Sequence, residues 1–253
     1  MSVRAVLIIL FLPVLAFAGS IENTQHLELS IKNIQSMHII CGPGSLDVFG
    51  VEGSDRIKVK AAVKISGITQ DTLQDFLEEH VALSIKKRFR KAVLQSVFKN
   101  ENQMKADAKI DLTVEVPKSL SVIIDDGTGS IFVTDLAENL KIIDGSGSIV
   151  IRKTAGPISI SDGSGKIEMT DTTGNLEVKD GSGKINIDRV RGNVRIVDGS
   201  GSMTIKDIDG NLTVTDGSGS IEISDVTQSV FIKDAGSGIL EIEGVKGKVV
   251  KRE

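Results

Sequence analysis

Apolar and polar positions follow a fixed rhythm over the second half of the chain. Between Asp198 and Thr215, Met203 and Ile205 alternate with polar residues, as do Leu212 and Val214, and Ile208 stands between the two pairs. The same slots hold Ile185, Ile187, Val190, Val194 and Ile196 one period earlier. They hold Ile221, Ile223, Val226, Val230 and Ile232 one period later. The period is 18 residues, set by Asp-Gly-Ser-Gly motifs that begin at Asp144, Asp162, Asp180, Asp198 and Asp216. Asp126 leads a variant, Asp-Gly-Thr-Gly, and Asp234 leads a slipped copy with one extra residue. Self-similarity at a fixed spacing marks a stacked repeat. Alternation with period two predicts short strands, each with one buried and one wet face. Every copy runs in the same direction, so equivalent strands stack in parallel, about 4.8 Å apart. The predicted fold is all-β: a parallel β-solenoid (β-helix) of 18-residue, two-strand rungs. The bias of parallel crossovers predicts a right-handed coil.

The turns fit this reading. Glycines in Asp-Gly-Ser-Gly permit positive φ, and the aspartate is suited to accept a backbone N–H two residues on. A second turn carries Gly174-Asn175, Gly192-Asn193 and Gly210-Asn211, with Asn139 in the same slot and Pro157 breaking the series. Stacked one rung apart, the asparagines suit a side-chain hydrogen-bond ladder.

The first half is less regular. Leu27, Leu29 and Ile31 alternate, and Met37–Ile40 and Ile57–Ile65 read as further strands. Cys41-Gly-Pro-Gly-Ser-Leu-Asp-Val aligns with the repeat, with Leu46, Val48 and Val51 in apolar slots and Cys41 in the aspartate's place. This is a degenerate capping rung. Thr69 suits a helix cap, and Leu73, Phe76, Leu77 and Val81 share one face, so the spacing predicts a helix over about 70–80. Beyond it two patterns compete. Val81, Leu83 and Ile85 alternate as in a hairpin. Leu77, Val81, Ile85, Phe89 and Val93 recur every four residues as in a longer helix. The hairpin is preferred. The expected organisation is a signal peptide over 1–18, N-terminal strands and a capping rung over 19–65, one short helix-containing insertion over 66–109, and regular repeats over 110–253.

Composition narrows the function. Arg4 precedes the apolar run Ala5–Leu15, and Ala16-Phe17-Ala18 fits a small-x-small cleavage pattern, as in a secretory signal. No later stretch reaches the roughly 20 apolar residues of a membrane span. The expected protein is therefore exported, to the periplasm, the cell surface or the medium. A net charge of −4 argues against a nucleic-acid binder. The single cysteine excludes an internal disulfide framework.

The segment Ile110-Asp-Leu-Thr-Val-Glu-Val-Pro, the repeated Asp-Gly-Ser-Gly-x-Ile-x-Ile and the recurring Gly-Asn-Leu-x-Val resemble a bacterial extracytoplasmic family. It is the β-strand-repeat family of unknown function known as putative adhesins. The resemblance runs from about Leu27 to Val250. It implies a parallel β-helix outside the cytoplasm, without established catalysis or agreed functional residues.

Candidate chemistry is sparse. The aspartates at Asp144, Asp162, Asp180, Asp198 and Asp216 form a column. They read first as turn caps and secondarily as calcium ligands, although each turn offers only one regular carboxylate. Lys86, Lys87, Arg88, Arg90 and Lys91 surround Phe89 as a basic run, either a solvated face or a contact for anionic lipid or envelope polymer. His26, His38 and His80 have no ligand partner at metal-binding spacing. Cys41 reads as a turn thiol. Asp207 and Asp209 could imitate a glycosidase pair, but Tyr and Trp are absent as sugar platforms. The expected function is a non-catalytic envelope scaffold or binding module, with no cofactor and an envelope protein or polymer as partner. The alternatives are a polysaccharide-active enzyme and a calcium-binding β-roll.

Overall fold

A computed structural model describes residues 16–17, 20–99 and 106–252. The expected signal peptide lies outside the described residues, apart from Ala16–Phe17 (β1), which pair antiparallel with Ser20 and Ile21. The chain forms a parallel β-solenoid of about 7 turns, with 69% of residues in strands. It divides into two compact units, residues 1–130 and 131–253.

The first unit begins with Ser20–Ser30 (β2), Ser36–Cys41 (β3), Gly44–Val51 (β4) and Arg56–Ser66 (β5). A short 3-10 turn, Gln70–Thr72, leads into helix Leu73–His80 (α1). Leu73, Phe76 and Leu77 form its buried face, as their i, i+3, i+4 spacing demands. Val81–Arg88 (β6) and Lys91–Phe98 (β7) then make an antiparallel hairpin. The four-residue recurrence through this region therefore does not mark a longer helix. Asp107–Pro117 (β8) and Ser121–Thr134 (β9) follow.

β3 is flanked by two parallel neighbours. Cys41 lies in register with Asp126 of β9 on one side and with Ser96 of β7 on the other. β4 pairs in parallel with β8, Leu46 against Leu112. Thus β7 and β8, although later in sequence, stack as a rung beside β3 and β4. The aspartate slot holds Ser96, Cys41 and Asp126 in successive rungs. β8, β5 and β2 continue from this rung as antiparallel neighbours.

The second unit is the regular stack. Its strands are Leu140–Arg152 (β10), Ile158–Asp162 (β11), Gly165–Thr173 (β12), Leu176–Asp180 (β13), Gly183–Arg191 (β14) and Val194–Asp198 (β15). Gly201–Asp209 (β16), Leu212–Asp216 (β17), Ile221–Val226 (β18), Val230–Ala235 (β19), Leu240–Glu243 (β20) and Val249–Lys251 (β21) complete it. Pairing is parallel and in register at one repeat: Ile167 with Ile185, Ile185 with Met203, and Val178 with Ile196. Ile185, Ile187, Val190, Val194 and Ile196 are all buried, so the five apolar slots point into one core column. The extra residue lies before Asp234 rather than after it: the register shift falls at Lys233, which places Asp234 opposite Thr215 and Ala235 opposite Asp216, in the aspartate slot.

The longer strand of each rung bends at a residue in the left-handed region: Asp135, Lys153, Asp171, Arg189, Asp207 and Asp225, with φ between 49° and 62°. These non-glycine positions recur every 18 residues and make a third corner, beside the Asp-Gly-Ser-Gly and Gly-Asn turns. In the Asp-Gly-Ser-Gly turn both glycines face the backbone of the previous rung, and the second also has positive φ. Gly183 has φ +145°, and a Cβ there would collide with the carbonyl oxygen of Gly165 in the previous rung.

Candidate functional site

The aspartate column lies inside the fold. Asp162, Asp180, Asp198 and Asp216 are between 1% and 6% exposed, facing the same way as the apolar residues of β11, β13, β15 and β17. One carboxylate oxygen of each accepts the backbone N–H two residues on, at 3.2 Å from Ser164 and Ser182 and at 3.3 Å from Ser200 and Ser218. The other oxygen, Oδ2, is buried without a hydrogen-bond partner among the described residues. Burial is the main cause that raises these acids above their ordinary range. For Asp180 the neighbouring Asp162 and Asp198 carboxylates add to it and bring the value to about 6. Asp162, Asp198 and Asp216 are raised as well. Asp144, the remaining calcium candidate, is equally buried. Among the described residues, no group of three or more His, Cys, Asp or Glu side chains is placed to hold a metal ion.

In the first unit, Asp126 is also raised to about 6 by burial, against hydrogen bonds from the Cys41 thiol and from the Gly127 and Thr128 backbone. Cys41 is buried. His38 lies on the opposite face of β3 from the thiol: Met37, Ile39 and Cys41 point inward and His38 points outward. No imidazole on β3 therefore faces the thiol. Burial, then Lys91, lowers the His38 value. His80 packs on the Phe76 ring, with centroids 4.9 Å apart.

The asparagine turn forms a ladder, but one of side-chain oxygen to backbone N–H rather than of side chain to side chain; Asn211 Nδ2 to Asn193 Oδ1, at 3.1 Å, joins two asparagine side chains. The Asn175 side-chain oxygen accepts the Asn193 N–H at 3.1 Å, and the Asn193 oxygen accepts the Asn211 N–H at 3.0 Å. The Asn211 oxygen accepts the Ser229 N–H at 3.2 Å. Each asparagine thus fastens its own rung to the next.

The outer surface holds two concentrations of charge. At the left-handed corner, Arg189 Nε donates to Asp171 at 2.6 Å, Nη2 donates to Thr170 at 2.6 Å, and Nη1 donates to Asp188. This lowers Asp171 below the usual carboxylate range, Arg189 being the first cause. The cluster borders a groove of about 370 Å³ that also touches Asp207 and Asp209. The guanidinium is already occupied on three nitrogens, so it clasps adjacent rungs rather than offering an empty anion receptor. Asp209 accepts from Thr227 at 2.9 Å.

The second concentration is the tip of the β6–β7 hairpin. Arg88 pairs with Lys91, which leaves Phe89-Arg90 as a two-residue turn. Phe89 has φ +56° and is 97% exposed. Lys86, Lys87, Arg88 and Arg90 are exposed and Lys91 is half-buried. The tight turn therefore gathers Arg88, Arg90 and Lys91 beside the aromatic ring, with Lys86 and Lys87 further along β6.

No protein-family model and no curated protein matches the chain. Solved structures do match. The chain is similar to the crystal structure of a putative adhesin from Bacteroides fragilis NCTC 9343, with a TM-score of 0.53 and 11% identity over 90% of this chain and 97% of the other. It is also similar to a putative lipid binding protein from Parabacteroides distasonis ATCC 8503, with a TM-score of 0.51 and 14% identity over 91% and 97%. At these identities the shared property is the fold.

Two features of the site escape sequence reading. The left-handed corner alternates between Asp, Lys and Arg, so it has no fixed residue type; its only signal is the excess of aspartate, which tolerates positive φ. Phe89 occupies a hairpin position that favours glycine, so turn chemistry argues against the turn that forms.

Proposed function

We propose that the chain is a non-catalytic binding module of the cell envelope, exported and serving as a scaffold for a protein or polymer partner. The division of side chains between the inside and outside of each rung carries this reading. The inward slots hold the aliphatic column and the buried aspartates. The outward slots form columns in register, such as Glu168, Asn186, Thr204 and Glu222 on one sheet, and Glu177, Arg195, Thr213 and Phe231 on another. A flat array with one side chain per rung suits an extended partner that touches many rungs at once. The raised aspartates of the column are sealed in the corner, where no polymer reaches them, and Asp47, a raised acid on the outward face of β4, lies beside Asp111, whose carboxylate the Lys64 ammonium already holds. A glycosidase needs such an acid at its cleft. The folds shared with a putative adhesin and a putative lipid binding protein support a binding role.

Crosslinking in intact cells, followed by recovery of the protein, tests the proposal. The expected result is one specific envelope protein or polymer attached to the outward columns. Release of sugar fragments from an envelope glycan, lost in Asp209→Asn, would overturn it in favour of an enzyme.

A further inference from the structure

We propose that the β6–β7 hairpin tip docks the protein on an anionic phospholipid bilayer, with Phe89 entering the interface and the surrounding cations binding headgroup phosphates. The inference does not depend on the function proposed above, because an enzyme on the same scaffold could dock in the same way.

Three observations meet at this tip. The first is an exposed aromatic ring at the apex. Phe89 is 97% exposed, the most exposed large apolar side chain among the described residues. The second is its backbone. At φ +56° Phe89 sits in the left-handed region, where a bulky side chain is strained and glycine is favoured. Neither packing nor turn geometry accounts for phenylalanine here, so the ring's contribution lies outside the folded chain. The third is charge. Lys86, Lys87, Arg88, Arg90 and Lys91 flank Phe89 along the hairpin, and among the described residues none of them pairs with a carboxylate within 4.0 Å. The Lys87 ammonium donates to the Lys32 carbonyl at 2.6 Å. The turn is held from behind: the Gln35 N–H donates to the Arg90 carbonyl at 2.8 Å. A groove of about 420 Å³ between Arg88, Phe89, Arg90, Gln35 and Ser36 lies next to the ring.

The order of these groups selects the partner. A soluble polyanion satisfies the cations but gives the ring no apolar medium. An anionic bilayer presents phosphates outside and hydrocarbon beneath, the same sequence as a ring of cations behind an aromatic apex. Long basic side chains lie along such a surface with their charges at the headgroups. The attraction is electrostatic and so weakens with salt.

Vesicle flotation of the full chain tests the proposal, using phosphatidylcholine vesicles with and without phosphatidylglycerol, at low and high salt. Binding should require phosphatidylglycerol and fall at high salt. Neutralising the cations singly should lower partitioning about fivefold each. Phe89→Gly should lower it about tenfold while raising the melting temperature, since glycine relieves the turn. All variants share the same N-terminal segment, so differences between them report the tip. The chain has no tryptophan, so Phe89→Trp supplies a single reporter whose emission should shift to shorter wavelength on anionic vesicles. Unchanged flotation of Phe89→Gly, or an unshifted Trp emission on bound vesicles, would overturn the proposal. So would retention by a soluble polyanion without vesicle binding.

Discussion

The Asp180 carboxylate accepts the Ser182 backbone N–H at 3.2 Å and turns its second oxygen into the interior without a partner. One oxygen closes the turn, and the other carries a charge that the fold does not compensate. The same arrangement recurs at Asp162, Asp198 and Asp216. A pH dependence follows. The folded-state values of these acids are raised, with Asp180 at about 6 against an ordinary 3.8. The folded chain therefore holds these protons more tightly than the unfolded chain. This contribution to stability is complete below the unfolded value and is lost as pH rises through the folded value. The melting temperature, followed from about pH 4 to about pH 8, should fall across the interval that ends near 6 and then level off. Stability that rises through this interval would contradict the buried column.

The two oxygens can be separated by substitution. Asp180→Asn retains an acceptor for the Ser182 N–H and removes the buried charge. It should stabilise the protein at neutral pH by on the order of 1–2 kcal/mol and flatten the pH profile. Asp180→Ala removes the acceptor too and leaves the Ser182 N–H unpaired, which should cost about 1 kcal/mol against the Asn variant. Denaturant unfolding of the pair at pH 5 and pH 8 reads both effects, with the pH values chosen on either side of about 6.

Glycine matters for two separable reasons. Gly53 has φ +65° and open space around its Cα, whereas Gly183 combines φ +145° with the carbonyl of Gly165 in the path of any side chain. Gly53→Ala should cost about 1 kcal/mol, the conformational term alone. Gly183→Ala should cost more than about 3 kcal/mol, because adjacent rungs must separate to admit the methyl group. Equal melting points for the two variants would mean that the rungs are less closely stacked at this corner.

The regular rungs are legible in the sequence because two of their three corners constrain residue type: aspartate and glycine at one turn, glycine and asparagine at the next. The rung of β7 and β8 lacks those corners. No Asp-Gly-Ser-Gly sequence lies between its strands, and Ser96 stands in the aspartate slot. Its membership in the stack therefore comes from pairing with β3 and β4, which leaves no local mark. The hairpin tip is obscured for a related reason. Ile85, Phe89 and Val93 suggest one helical face, yet Ile85 is buried while Phe89 is the exposed apex. The burial of the aspartates is legible in retrospect, since Asp180 continues the inward alternation of Leu176 and Val178. A charged residue at the end of an apolar series reads as surface unless the turn's own geometry is considered.

The apolar column gives the last prediction. Ile205 is fully buried, between Ile187 and Ile223 in the neighbouring rungs. Ile205→Ala should cost about 3 kcal/mol through the lost burial and the cavity left behind. Ile205→Asp places an unpaired charge in the same slot and should cost more than about 4 kcal/mol. The loss should extend across neighbouring rungs, because each buries its residues only against the next. Hydrogen exchange distinguishes local from cooperative damage. Backbone amides of Ile187 and Ile223 should lose protection together with those of β16. Exchange confined to β16, with a melting point within a degree or two of wild type, would show that the rungs do not share one core.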